Sequence, residues 1–430
     1  MSRGAVLSTI GTETLPSGIR LATEAMADVR SVCVGFWVGT GSRDEPVELA
    51  GASHFLEHLL FKGTSTRSAA DIAEALDEVG GDCNAYTTKE YTAFYVRLLA
   101  EHLPLGLDIL SEIMWDPALA PEDVDAERAV ILDEILMHAD EPADVAAERS
   151  TAALFPGHPL GRDTLGSPES VGVTRADQIR TFFEHHYRPA NIVVSVAGDC
   201  DHEHVAAEVE RRFAGRPGGT APVRQAPEGP PEPLVVVRKD TEQAHLVLAV
   251  QSVSRHDPTR WALAVLNHVL GGGLSSRLFQ KIREERGLAY SVGSERTGFA
   301  DAGSLGVHVG TAPEHVDEVL RIVTGELELI GETGVTPREL AVAKGNLRAE
   351  AVLANEDSGA RMSRLGSSLL LHGEVRTVDQ LLARIDEVEL EHVHEAARRL
   401  AESRRTLAAV GPFDPEAFDP ATLGLTAPAG

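Results

Sequence analysis

The sequence predicts an α+β protein made of two similar α/β sandwich-like domains, an internal duplication of one plan. Three observations predict it. Residues 215–233, GRPGGTAPVRQAPEGPPEP, crowd proline and glycine without hydrophobic periodicity and split the chain into near-equal halves. Short segments then recur across that divide. VGFWVGTGSRDEP (34–46) is paralleled by LVLAVQSVSRHDP (246–258) at an offset of 212, AEHLPLGLDIL (100–110) by PEHVDEVLRIV (313–323) at 213, and APEDVDAERAVILDE (120–134) by TPRELAVAKGNLRAE (336–350) at 216. Finally, each half offers strand, helix, strands and helices in similar order, the pattern of α+β layers. The expected division is a first domain over 1–214, a linker over 215–233 and a second domain over 234–430.

Composition fits that size. A chain of 430 residues, 43% of them hydrophobic, exceeds a single core and suits two or more domains. Its 39 basic and 66 acidic residues leave a formal charge of −27, which disfavours nucleic acid and anionic membrane surfaces. The excess of acid either biases substrates towards basic peptides or serves solubility alone. Cys33, Cys83 and Cys200 are too widely spaced for a metal cluster and point to a reducing compartment. The first residues, MSRGAVLSTIGTETLPSGIRL, hold neither a long apolar run nor an Arg-rich amphipathic stretch. No segment reaches the roughly 18–20 apolar residues a membrane helix needs, so a cytoplasmic location is expected.

In the first half, GASHFLEHLLFKGTS carries His54, Glu57 and His58. On a helix, two histidines four apart project from one face, one turn above the other, and can close on one metal ion. Glu57 lies on the same side and can reach a water on that metal. This is the inverted form, H-x-x-E-H, of the zinc metalloprotease motif. The ordinary alternative is an exposed helix with two solvated histidines. Phe55, Leu56, Leu59, Leu60 and Phe61 argue against it by making the segment mostly buried, where two histidines and a carboxylate need partners.

Zinc of this kind takes a third protein ligand and leaves a position for water. PEDVDAERAVILDEILMH (121–138) reads as a helix, begun by Pro121 and spaced by Val124, Val130, Ile131 and Ile135. Glu127 and Glu134 lie two turns apart and share a face; Asp133 lies on another. Either glutamate alone would be read as solvated surface, but Val130, Ile131, Ile135 and Leu136 surround Glu134 and argue against simple exposure.

With these residues in hand the chain resembles the M16, or pitrilysin-like, zinc metallopeptidases, and most closely the mitochondrial processing peptidase β-subunit type and its bacterial relatives. The resemblance rests on the inverted motif, on Glu134 standing 76 residues after His58, and on CNAYTTKEYTAFY (83–95), GHPLGRDTLG (157–166), YRPANIVVSVAGD (187–199) and GGGLSSRLFQKIREERGLAYSV (271–292). It runs from about residue 10 to beyond 400. It implies that His54, His58 and Glu134 hold one Zn2+ per chain, that Glu57 is the base, and that Glu127 supports the site from behind the ligands. It also implies half of a clamshell built from two similar domains. The strand containing Asn84 and Ala85 would be an exposed edge that pairs with an extended substrate backbone. Phe61 would line the chamber, with plain core packing as the alternative.

The second half carries no metal motif. At an offset of 212, His54, Glu57 and His58 fall on Leu266, Val269 and Leu270. GGGLSS (271–276) lacks the lysine of a phosphate loop and the dinucleotide fingerprint. Arg283 and Tyr290 are, on their own, a solvated arginine and a packing tyrosine. The resemblance implies more: they match a pair that approaches the zinc site and holds substrate. His102, His158, His185 and His186 are assigned no metal.

The expected activity is zinc-dependent endopeptidase hydrolysis of extended peptides or unfolded segments, with a homodimer, or a heterodimer with a related chain, as the assembly. The rivals are a non-catalytic scaffold or partner subunit, a zinc hydrolase for non-peptide substrates, and a peptide-binding chaperone with residual zinc. Intact His54, Glu57, His58 and Glu134 argue against the scaffold, and the edge strand argues against the non-peptide hydrolase.

Overall fold

The computed structural model describes residues 10–420 and 423–425. The first half supplies strands β1 (Ile10–Thr14), β2 (Arg20–Ala25), β3 (Ser31–Val38), β4 (Asp82–Thr87), β5 (Thr92–Leu99) and β6 (Ile192–Gly198). Its helices are α1 (Ala52–Leu60), α2 (Ala69–Glu78), α3 (Leu103–Trp115), α4 (Pro121–Asp140), α5 (Pro142–Leu154), α6 (Pro168–Val173), α7 (Ala176–His186) and α8 (His202–Phe213). The second half supplies β7 (Leu234–Arg238), β8 (Ala244–Ser252), β9 (Ala289–Gly298), β10 (Gly303–Thr311) and β11 (Arg405–Gly411). Its helices are α9 (Arg260–Asn267), α10 (Val316–Thr333), α11 (Pro337–Leu353), α12 (Ser358–His372), α13 (Val378–Asp386) and α14 (Leu390–Glu402).

The duplication is visible in the sheets. One has the order β1-β2-β6-β3-β5-β4, the other β7-β11-β8-β10-β9. Without β1 the orders coincide, and so do the senses. β2 pairs with β6, and β7 with β11, in parallel, while every remaining pair of neighbours in both sheets is antiparallel. The helices follow less strictly. α9 begins 208 residues after α1 and runs on into a π-helical turn over His268–Gly272. Measured from the helix starts, the counterparts of His54, Glu57 and His58 are Ala262, Val265 and Leu266 instead of Leu266, Val269 and Leu270. All five positions are buried and apolar.

Both faces of each sheet are covered, so the strands read as nearly continuous apolar runs with a hidden period of two. In β3, Val32, Val34, Phe36 and Val38 face the main core of their unit, where α1, α3 and α7 pack. Cys33 and Trp37 face the back. In β8, Leu246, Leu248 and Val250 face one core and Val247 and Ala249 the other.

What covers the backs was not expected. The chain forms two compact units, one of residues 1–135, 163–224 and 352–378, the other of residues 136–162, 225–351 and 379–430. The back of the first sheet is closed by α12, from the second half of the sequence, through Met362, Leu365 and Leu369 against Trp37, Ala93, Val193 and Ala197. The back of the second sheet is closed by α5, from the first half, through Val145, Ala146, Leu154 and Phe155 against Val247, Ala249, Ala408 and Val410. The expected boundaries at 1–214 and 234–430 differ from these units by that exchange. Helical periodicity shows that a helix has an apolar face, not which sheet the face will cover.

In the first unit α12 approaches closely. A Cβ on Gly366 would lie 1.9 Å from Nε1 of Trp37, and that indole nitrogen donates to Ser195 Oγ at 2.7 Å. Glu24, itself buried, takes Arg361 and Arg364 from α12 at 2.6 Å each. The proline-rich segment is anchored at both ends. Arg224 reaches Asp44 at 2.7 Å and the Glu90 carbonyl at 2.6 Å in the first unit. In the second unit the Glu232 amide donates to Ala153 O at 2.8 Å.

Candidate active site

α1 is set down on the sheet from its first residue. Gly51 caps it at φ 96°, and a side chain there would strike the Leu165 carbonyl at 2.6 Å. The free amides of the first turn need acceptors, and the buried Glu45 carboxylate supplies them, taking the amides of Gly51 and Ser53 at 2.7 Å each. Phe55, Leu56, Leu59 and Leu60 fill the core below. The remaining face carries His54, Glu57 and His58, and their rings and carboxylate are therefore fixed in direction by packing.

α4, begun by Pro121 as expected, brings Glu134 to the two histidines. Glu134 Oε2 lies 3.7 Å from His54 Nε2 and 3.6 Å from His58 Nε2. The ring centroids of the histidines are 4.7 Å apart. One donor atom from each of the three residues lies within 4.8 Å of the other two, and all three residues are half-buried. The surroundings of Glu134 are not the expected ones. Ile131 is buried, but Val130 is 43% exposed and Leu136 61%; the middle of α4 is apolar on more than one face, and only the face bearing Val124 and Ile131 enters the core.

Glu127 stands behind His58, on the side of the ring away from Glu134. Its Oε2 is 3.0 Å from His58 Nδ1, and its Oε1 is 2.5 Å from Lys62 Nζ. A carboxylate accepts only, so Nδ1 is the donor of this bond, and Nε2 is the ring nitrogen that faces Glu134. Burial pushes the Glu127 carboxyl up, but hydrogen bonds from Lys62 and His58 outweigh it and hold the group below the usual carboxylate range. Glu57 behaves oppositely. Burial lifts its carboxyl above the usual range, against a hydrogen bond from Thr87, whose Oγ1 donates to Oε2 at 2.6 Å.

β4 is an edge strand of its sheet. Asn84 is exposed, with its side chain bonded to the Ala85 amide at 2.8 Å. Ala85 packs against the core on the face that α1 covers. Phe61, at the C-cap of α1, is half-buried and packs against the core, its ring 5.9 Å from that of Phe94.

In the second unit Arg283 and Tyr290 come together. Arg283 lies on a π-helical turn, Phe279–Glu284, and its guanidinium stands 4.7 Å from the Tyr290 ring centroid and donates to Tyr290 O at 3.0 Å. Between β9 and β10, Gly310 pairs with Ser291 and Thr311 with Ala289, so Tyr290 is the extra residue of a β-bulge. A bulge re-aims its side chain, and this one leaves Tyr290 78% exposed. Sequence reasoning missed Glu45, Lys62 and Thr87. Only Lys62, four residues after His58 on the way to Glu127, left a positional signal.

The family model described as insulinase (peptidase family M16) matches residues 20–168, and the one described as peptidase M16 inactive domain matches residues 174–347. Together they span most of the chain.

The chain belongs to peptidase family M16.

This M16 chain is 46% identical over 409 residues to a protein of Mycobacterium tuberculosis named uncharacterized zinc protease, covering 93% of this chain and 92% of the relative. Relatives of the same name in Streptomyces coelicolor and Bacillus subtilis are 44% and 37% identical, covering 95% and 93% of this chain and 90% and 97% of theirs. Two solved structures share the fold at a TM-score of 0.88 and 21% identity: a peptidase M16 inactive domain from Pseudomonas fluorescens and a protease from Helicobacter pylori, each covering 94% of this chain and respectively 98% and 100% of its own. The M16 chain thus carries the cluster of His54, His58 and Glu134, which could hold a metal ion, within the region matched by the first model, and buried apolar residues at the places of the second that correspond to His54, Glu57 and His58. Among the described residues no helix is long and apolar enough to cross a membrane.

Proposed function

We propose that this chain is a zinc-dependent endopeptidase that hydrolyses extended peptides and unfolded segments. The observation that carries the reading is the convergence of His54, His58 and Glu134 within 4.8 Å, beside a desolvated Glu57 that is not part of that set. The donor chemistry fits zinc: two imidazoles with Nε2 available and one carboxylate. Zinc held by these three residues supplies Lewis acidity, polarising the scissile carbonyl and acidifying a water.

The chain's own residues do the rest. Glu57 takes the proton of the attacking water and passes it to the leaving amine; its raised proton affinity suits a group that must both accept and donate. Glu127, held by Lys62, fixes the tautomer of His58. The free edge of β4 binds substrate backbone as an added strand, which demands extension and asks little of side chains. Tyr290, paired with Arg283, donates a hydrogen bond to the developing oxyanion. Each site draws that pair from a second copy of the chain in a two-fold homodimer.

The test is digestion of an unstructured peptide library by the purified protein, with metal analysis alongside. The reading expects about one zinc per chain, loss of cleavage with a chelator, and a Glu57→Gln variant that keeps zinc and loses turnover. A metal-loaded wild-type protein that cuts no peptide would overturn it. The assembly has its own test: a His58→Ala chain is mixed with an Arg283→Ala chain. Random mixing makes about half the dimers mixed, each with one complete site, so roughly a quarter of wild-type activity returns. No return, with exchange of subunits confirmed, rejects the shared site.

A further inference from the structure

We infer that Thr87 is a positioning residue for Glu57, tying the aim of the base to the end of the edge strand. The inference rests on the peptidase reading above. The Thr87 hydroxyl donates to Glu57 Oε2 at 2.6 Å, within the short range of hydrogen bonds to a carboxylate. Two features fix that hydroxyl. Thr87 is the last residue of β4, paired in register with Thr92. Thr92 is fully buried and is itself tied to the Thr40 carbonyl at 3.1 Å. A β-branched side chain in a strand also has few rotamers, so the hydroxyl is delivered from a rigid point.

The glutamate needs such a tether. It stands on the site face of α1 between His54 and His58, and its own long side chain has freedom that costs precision in proton transfer. With Oε2 held by Thr87, the carboxylate is confined to one orientation, with its second oxygen left for the water. Thr87 lies on the same face of the sheet as Ala85, two residues on, and so under α1. A peptide added along β4 runs towards the residue that aims the base. The seating of substrate and the direction of the carboxylate therefore share one anchor.

The experiment compares wild type with Thr87→Val, which keeps shape and branching but removes the hydroxyl, and Thr87→Ser, which keeps the hydroxyl. For Thr87→Val the expected result is a fall in kcat of about ten- to a hundredfold, with KM within about twofold, zinc stoichiometry unchanged and an unaltered melting temperature. Thr87→Ser recovers most of the kcat. In a crystal structure of zinc-loaded Thr87→Val, the Glu57 carboxylate leaves its single orientation while His54, His58 and Glu134 stay in place. Undiminished kcat in Thr87→Val, loss of zinc, or a rise in KM alone overturns the assignment. A Glu57 carboxylate that does not move in the variant also overturns it, whatever the turnover. If the wild type cleaves nothing, the peptidase reading has failed, and the crystallographic comparison still decides the role of Thr87.

Discussion

Glu127 holds the far side of the His58 imidazole, 3.0 Å from Nδ1, while its other oxygen is taken by Lys62 at 2.5 Å. The three residues form a chain of charge behind the candidate metal cluster of His54, His58 and Glu134, which does not include Glu127. Such partners set ligand orientation and basicity. Glu127→Ala is expected to weaken zinc binding by about 10–100-fold, read by competition with a chelating dye. Lys62→Met should shift it in the same direction by less. Zinc affinity unchanged in Glu127→Ala would remove that role.

The buried carboxylate of Glu24 between Arg361 and Arg364 should matter to stability. Removing one partner of a buried ion pair strands the others, at a cost of about 3–5 kcal/mol. Glu24→Ala is expected to lower the urea midpoint accordingly. The exposed pair of Arg97 and Asp357, 3.3 Å apart with both side chains about half exposed, is a control. Arg97→Ala should change stability by less than about 1 kcal/mol.

Gly366 is where α12 meets Trp37. A methyl group there would overlap the indole nitrogen, forcing the helix out or breaking the bond to Ser195. Gly366→Ala is expected to cost about 1–3 kcal/mol, with a change in tryptophan fluorescence. An unchanged melting curve would show that α12 has room to yield.

His186 supplies a pH dependence. Burial lowers its pKa from an ordinary 6.5 to about 4, with help from His185. Between those values the unfolded chain binds a proton that the folded chain does not, so stability falls as pH drops from 6.5 towards 4. His186→Gln removes this contribution. Its urea midpoint should therefore vary less than wild type between pH 7.5 and pH 4.5. Equal slopes would place the acid sensitivity elsewhere.

Much of the centre was legible because α1 compresses it: His54, Glu57 and His58 lie within two turns of one helix, and helical geometry alone puts them on one side. Glu134 was legible only through its distance from His58, since Val130 and Leu136, which were expected to shelter it, lie open to solvent. Periodicity could place α4 but not choose among its apolar faces. The duplication was readable in its strands, whose order and sense repeat. It slipped at α9, which begins 208 residues after α1 although the strand segments before the two helices stand 212 apart. The aim of Tyr290 depends on a one-residue slip between β9 and β10, and the grip of Glu45 on α1 depends on a loop's path. Neither leaves a local pattern in the residues.

The exchange of α5 and α12 places an order on biosynthesis. β6, the last strand of the first sheet, is complete at Gly198, but the helix that covers Trp37, Ala93, Val193 and Ala197 ends at His372. Translation of the intervening stretch of about 170 residues, at roughly 5–20 residues per second, leaves that apolar face bare on the nascent chain for about 9–35 s. The second sheet has no such wait, because α5 has left the ribosome before its strands appear. The first half is thus the stage at which a chaperone has most to shield. A gene split at the proline-rich segment would yield two polypeptides, each missing the helix the other carries, and neither could close its sheet until they met.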